Sequence, residues 1–327
     1  RLFFSGDIHG NSVGSKYGCG VSETIKLSEF ANELLVLARP LAAFDMPLMD
    51  AHGATLALDV IANNKTIMKS GSRIRSTQIG LAASAGLDHL PTRPQPRVVV
   101  ISAGADLVEP GSPLRDREDE YETNSWLLTT AVKEAGAVGY RVHTIPETAE
   151  QLKDVVEDQL VRADLVVICG ESHDDSFSLI YSVLQQLGQV RELTPLIKGT
   201  GKHAYGSIGP DRTPVVVLPG DPIYAYISTE LFVRPMIRSM MGLYDIHRPV
   251  IKAKLKNDVT GEIGKTSFVR AVLSDENSGM RSVSALDNQE ELVTLSDATG
   301  LIVVPDSLAA LSSGAEVEVL LLERRFN

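Results

Sequence analysis

The sequence predicts an α/β protein: a three-layer α/β/α domain on a mostly parallel sheet, preceded by a helical N-terminal linker region and followed by a small C-terminal β-domain. Three observations carry that expectation. Apolar runs such as Val98–Ile101 and Leu165–Cys169 alternate with amphipathic helical stretches, the pattern of a sheet covered on both faces. Two prolines within Thr92–Pro96 mark where this pattern begins. Beyond Pro249 the period changes to two, as in Ile251–Leu255 and Glu316–Val319.

Length and composition agree. The 327 residues suffice for two or three domains with real cores, and 43% hydrophobic against 22% charged residues is an ordinary globular mixture. Forty-two acidic against 31 basic side chains give a formal charge of −11 and a pI near 5.2. No basic face concentrates positive charge as phosphate-backbone binding requires, so nucleic acid is excluded as a partner. No apolar run approaches the ~18 residues of a membrane span. Two cysteines, Cys19 and Cys169, make neither a disulfide framework nor a four-ligand zinc site, and a reducing cytoplasm is the expected location.

In chain order, residues 1–24 show no clear period and form an N-terminal extension. A helical linker region, 25–96, opens with Ile25–Leu37, where Leu27, Phe30, Ala31, Leu34 and Leu35 fall at helical spacing, and Pro40 ends that helix. An apolar segment Met49–Ile61 leads into the polar connection Asn63–Thr66. The α/β domain, 97–242, opens with a buried strand at Val98–Ile101. Helices are expected at Ser125–Glu134, at Ala149–Arg162 with Thr148 and Gln151 at capping-box spacing, at Phe177–Leu187 and at Pro222–Met241. Strands are expected at Tyr140–His143 and Leu165–Cys169, with a hairpin over Ala204–Leu218. Residues 249–327 form the β-domain, with Gly261, Gly264, Gly279, Gly300 and Gly314 at turns.

Ligands of open parallel sheets bind beyond the carboxyl ends of the strands. Three loops there are unusual. Ser102–Asp106 is built of small residues that admit a ligand to the backbone. Cys169–Ser176 leads into a helix N-terminus and carries Glu171, His173, Asp174 and Asp175. Leu218–Pro222 is a tight turn with Asp221 as N-cap and Pro222 at the first helical position. Lys198 and Lys202, in a glycine-rich segment, are candidate cations for the same rim. Each loop also has a plain structural reading, as helix cap or solvated polar turn. Their joint placement on one sheet edge favours a site. At the N-terminus, Gly6–Asn11 resembles the first metal segment of calcineurin-like phosphoesterases through Asp7 and His9, but the later segments that family needs do not follow.

From about residue 28 to the C-terminus, the chain resembles the molybdopterin molybdenumtransferase family, the bacterial MoeA enzymes and the gephyrin E domain. Val99–Leu107 with Glu109-Pro110-Gly111, the helix start Glu122-Thr123-Asn124, and Leu218–Pro222 carry the resemblance, supported by Leu231–Pro235 and Gly300–Pro305. It implies insertion of molybdenum from molybdate into adenylated molybdopterin with Mg2+. It also implies Asp106, Asp174 and Asp175 as catalytic groups, with Asp106, Glu171 and Asp175 toward the metal. Ser102, Gly104, Asn124, Gly170, Ser172, Lys198, Lys202, Pro219, Gly220, Asp221 and Pro222 are implied to contact the ligand. An elongated homodimer is a further implication.

The departures are specific. Asp106 stands where the family has Glu, and Ala105 replaces its Asp. The neutral phosphate loop Ser-Gly-Gly-Val-Ser-Val-Gly is here Cys169–Asp175, with three carboxylates, and Ser178 aligns with an acidic residue. Pro-Gly-Asn-Pro has become Pro219–Pro222 with Asp221. The family also inserts a domain after the segment matching Met49–Ile61, where this chain has about seven residues before Lys69. These changes leave two functions open: a molybdenumtransferase with a degenerate site, or a gephyrin-like dimeric scaffold that binds a partner's peptide tail.

Overall fold

The computed structural model describes residues 23–171, 174–275, 281–286 and 291–322, excepting the side chains of Asp174, Asp175, Asp275 and Glu291. The Asp7 and His9 segment, Cys19, Ser172, His173 and Gly279 therefore lie outside the described residues. The described residues fold into two compact units, one within 34–191 and 204–247, the other within 23–33, 192–203 and 248–322.

Strand β1 (Thr24–Ile25) precedes helix α1 (Leu27–Leu37), so the helix expected from Ile25 begins two residues later. The linker region is helical only in part. Between α1 and the central domain lie β2 (Phe44–Pro47), β3 (Thr55–Leu56), β4 (Val60–Ala62), β5 (Lys65–Met68), the nine-residue helix α2 (Ser76–Ser84) and β6 (His89–Arg93). β2, β6 and β3 form a small sheet around Ala51, Leu56, Val60, Met68, Ile74, Ala82 and Leu90. These strands are too short for period two to show in the sequence. β4 and β5 make a hairpin in which Ala62 faces Lys65 across Asn63 and Asn64, both at positive φ (52° and 59°). That is the mirror-image turn that matches strand twist, and asparagine tolerates it.

The central domain alternates as expected: β7 (Arg97–Ser102), β8 (Leu107–Val108), β9 (Glu120–Tyr121), α3 (Asn124–Ala135), β10 (Val138–Arg141), α4 (Ala149–Leu160), β11 (Leu165–Cys169), α5 (Asp174–Leu187), β12 (Gly188–Pro195), β13 (His203–Ile208) and β14 (Thr213–Leu218). The seven-stranded sheet runs β1-β12-β13-β14-β11-β7-β10; β10, β7, β11 and β14 are mutually parallel, and β13 is antiparallel to β14. Alternate residues of its strands, among them Val99, Ile101, Val166, Ile168, Val215 and Val217, pack against Leu152 and Val156 of α4 and Ile180 and Leu184 of α5. Helices α3 and α6 (Pro222–Ser228) pack against strands of the sheet, and α7 (Arg234–Met240) packs on α3. The single helix expected over Pro222–Met241 is interrupted by a π-helical stretch, Thr229–Val233, which apolar periodicity does not reveal. The strand expected over Tyr140–His143 lies two residues earlier. Strand β12 is not foreshadowed in the sequence: in Gly188–Pro195 polar residues alternate on an exposed face and Gly188 reads as a helix stop.

In the other unit, β15 (Val250–Leu255), β17 (Ser267–Asp275), β18 (Arg281–Ala285), β19 (Gly300–Val304) and β21 (Glu316–Leu321) close into a five-stranded barrel. β16 (Val259–Thr260), α8 (Glu291–Asp297) and β20 (Ala310–Leu311) complete it, and Ala253, Leu255, Val283, Ile302, Val304 and Val319 fill its interior. Alternating residues thus point inward, as the period-two reading expects. Among the described residues, no helix is long and apolar enough to cross a membrane.

Candidate functional site

Three neighbouring parallel strands end at the same level. Cys169 pairs in register with Ser102 on one side and Leu218 on the other. The loops that begin at Ala103, Gly170 and Pro219 therefore leave the sheet side by side. This is the placement the sequence led one to expect.

The first loop is anchored from beneath. Ala103 N–H donates to Cys169 O and Gly104 N–H to Pro146 O, both at 3.0 Å. The Arg115 guanidinium donates to Ala105 O at 2.8 Å and grips Asp119, whose carboxyl it holds down to about 2. The second loop lies over the first: Glu171 Oε1 accepts the Asp106 N–H at 2.8 Å, and Glu171 N–H donates to Ser176 Oγ at 2.9 Å. Both glycines lie directly under neighbouring side chains that a Cβ would have to displace. A Cβ on Gly104 would lie 2.2–2.4 Å from three Glu171 atoms, and one on Gly170 would lie 2.2 Å from Ser176 Oγ. In the third loop Asp221 Oδ1 accepts from Ile223 N–H (2.9 Å) and Tyr224 N–H (3.2 Å), capping α6 ahead of Pro222. Asn124 Nδ2 donates to Gly220 O at 2.6 Å and ties α3 to this turn.

Behind the loops sits a buried charge cluster to which the sequence reading gives no role. Glu122, 1% exposed, accepts from Ser102 Oγ (2.6 Å), Ser125 N–H (2.6 Å) and Ser125 Oγ (2.5 Å). It thereby satisfies an orphan amide at the start of α3 and fixes the last residue of β7. Arg141, from the end of β10, lies 3.4 Å from Glu122, pairs with Glu109, donates to Ser125 Oγ at 2.7 Å and stacks 4.1 Å over the Trp126 ring. A carboxylate three residues before an expected helix was the available signal for Glu122. Cys169 is fully buried, and desolvation, with the Glu122 charge second, pushes its thiol far above the ordinary range. It is no nucleophile.

Of the expected site residues, Ser102, Gly104, Asp106, Gly170, Glu171, Pro219, Gly220, Asp221, Pro222 and Asn124 gather on this edge. Helix α5 begins at Asp174, three residues ahead of the expected Phe177. Asp174 and Asp175 thus open a helix instead of sitting mid-loop, where acidic residues suit its positive end. Lys198 and Lys202 belong to the other unit, where Lys198 Nζ lies 3.5 Å from Thr260 O and Lys202 pairs with Glu192 at 3.2 Å. Among the described residues no group of three His, Cys, Asp or Glu side chains is arranged to hold a metal. The Asp106 carboxylate has no partner among the described residues, and Asn124 Oδ1 is a buried acceptor without one. Among the described residues the edge thus combines small-residue loops with the Asp106 carboxylate and the Asn124 amide oxygen.

An open, mainly parallel sheet with small-residue loops aligned at its carboxyl edge defines a ligand-binding α/β protein. The family model described as "Probable molybdopterin binding domain" matches residues 99–239, and that of the MoeA C-terminal region (domain IV) matches 252–322. Molybdopterin molybdenumtransferase 2 of Mycobacterium tuberculosis is 31% identical over 270 residues, and molybdopterin molybdenumtransferase 1 of the same organism is 29% identical over 274. These alignments cover 79% and 81% of this chain and 64% and 63% of the relatives, so the chain spans less than two thirds of their length. The molybdopterin biosynthesis MoeA protein from Pyrococcus horikosii superposes with a TM-score of 0.75 at 18% identity, covering 92% of this chain and all of that one, and so shares the fold. The chain belongs to the MoeA family.

Proposed function

We propose that this protein acts in molybdenum-cofactor biosynthesis as a molybdopterin molybdenumtransferase, taking adenylated molybdopterin and molybdate and releasing AMP as molybdenum enters the dithiolene. The observation that supports this reading is the common level of Ser102, Cys169 and Leu218, which sets three ligand-type loops on one edge in a chain of this family. The Gly104 and Gly220 loops offer backbone to the ligand's phosphates. Asp106 supplies a carboxylate that has no partner among the described residues.

Mg2+ fits this donor set, because that ion is usually held by one or two carboxylates together with substrate phosphates instead of an all-protein cage. Asp106 would hold it, and it would neutralise charge on the phosphate being cleaved. Asp174 and Asp175, at the start of α5, are further candidates. The test is to titrate purified protein with adenylated molybdopterin, add molybdate and follow AMP release. Binding in the micromolar range and molybdate-dependent AMP release are expected. Absence of binding at high micromolar ligand would overturn the reading. We read the protein as a homodimer as well, which light scattering checks.

A further inference from the structure

Glu171 stands two residues beyond the end of β11, and its side chain lies back across the neighbouring loop. Its Oε1 takes the Asp106 N–H at 2.8 Å, and its Cγ, Cδ and Oε1 lie where a Gly104 Cβ would come within 2.2–2.4 Å. The carboxylate therefore rests directly on the backbone of the 103–106 loop. Its own amide is held by Ser176 Oγ at 2.9 Å, which fixes where the side chain starts. A negatively charged oxygen on a loop N–H at the carboxyl end of a parallel strand is the contact that a tetrahedral oxyanion makes when it binds such a loop. Here the chain supplies that oxygen itself.

A tethered group competes at an effective concentration in the millimolar range, whatever the concentration of the free ligand. It also repels a second anion at contact distance. We propose that the Glu171 carboxylate is a built-in competitor at the oxyanion position of the 103–106 loop, so that a phosphate-class ligand binds there only by displacing it. This rests on the proposed function solely in taking the site to receive a phosphate group.

Binding of inorganic phosphate, measured by calorimetry, separates the possibilities. Glu171→Ala removes the competitor, and Glu171→Gln keeps its shape and an acceptor oxygen while removing the charge. Expected are an affinity at least tenfold above wild type for Glu171→Ala, a smaller gain for Glu171→Gln, and movement of the Asp106 amide resonance on addition of phosphate to either variant. Equal affinity in folded Glu171→Gln and wild type, or a gain in affinity that leaves the Asp106 amide unmoved, overturns the proposal. The two readings fail separately. Tighter phosphate binding without AMP release from adenylated molybdopterin sinks the enzymatic reading alone, and AMP release with no gain in the variants sinks this one alone.

Discussion

Arg141 shows how much of the site depends on a residue outside the three loops. Its side chain is 8% exposed, and the guanidinium faces two carboxylates, Glu122 and Glu109. Replacing it by methionine keeps the bulk over Trp126 but leaves Glu122 buried with only serine hydroxyls and one amide. Leaving an uncompensated buried charge costs about 3–5 kcal/mol, and the remaining donors place Arg141→Met near the lower end, about 3 kcal/mol, by urea unfolding. The double variant Arg141→Met with Glu122→Gln should recover part of that loss, as expected of coupled neighbours. Glu122 was legible only as part of a helix start, because nothing local in the sequence announces that Ser102, twenty residues earlier, and Arg141, nineteen later, converge on it. Asp221 was fully legible. Its cap is written in four consecutive residues.

At the scale of elements the same distinction holds. Helix α4 begins where Thr148 and Gln151 place it, with Gln151 N–H donating to Thr148 Oγ1 and the Gln151 side chain returning to the Thr148 amide. Helix α5 starts earlier than expected because Asp174-Asp175-Ser176 reads as a polar loop, although acidic residues also belong in a first turn. Strand β12 and the short strands between 44 and 93 were not legible: pairing partners far along the chain define them, and local periodicity is too brief. The β4–β5 hairpin is the element whose turn chemistry is most testable. Asn63→Val forces a β-branched residue to positive φ and should destabilise by about 1–2 kcal/mol, read as a lower urea midpoint at unchanged slope. Asn64→Gly should be neutral or mildly stabilising.

Across the whole molecule, pH acts through a buried histidine. His203 is fully buried, stacked edge-on to Phe30 with ring centroids 5.6 Å apart, and its Nδ1 lies 3.1 Å from Gly201 O. Desolvation lowers its pKa to about 4, against an ordinary 6.5. The unfolded chain therefore binds a proton between these values that the folded chain refuses. Stability from this group is complete above pH 6.5 and is lost as pH falls toward 4, by up to about 3 kcal/mol. Urea unfolding across pH 4–7 should show this slope in wild type and a shallower one in His203→Gln. The surplus of acidic residues acquires a location at this scale too. Asp106, Glu171 and Asp221 stand together on the edge that the family resemblance assigns to a phosphate, and Asp221 is occupied in capping a helix while Glu171 sits on a loop amide.

The hairpin at Asn63 and Asn64 bears on tolerance to insertion as well as on stability. Residues that flank a two-residue turn lie only about 5 Å apart, so the strands leaving it already present their ends at the spacing an independent folding module needs for its two attachment points. A module can be spliced in or excised there without moving Val60 or Met68 from the small core they share. The turn is thus a point at which an insertion would leave and re-enter the fold through the same two residues, with the strands on either side unchanged.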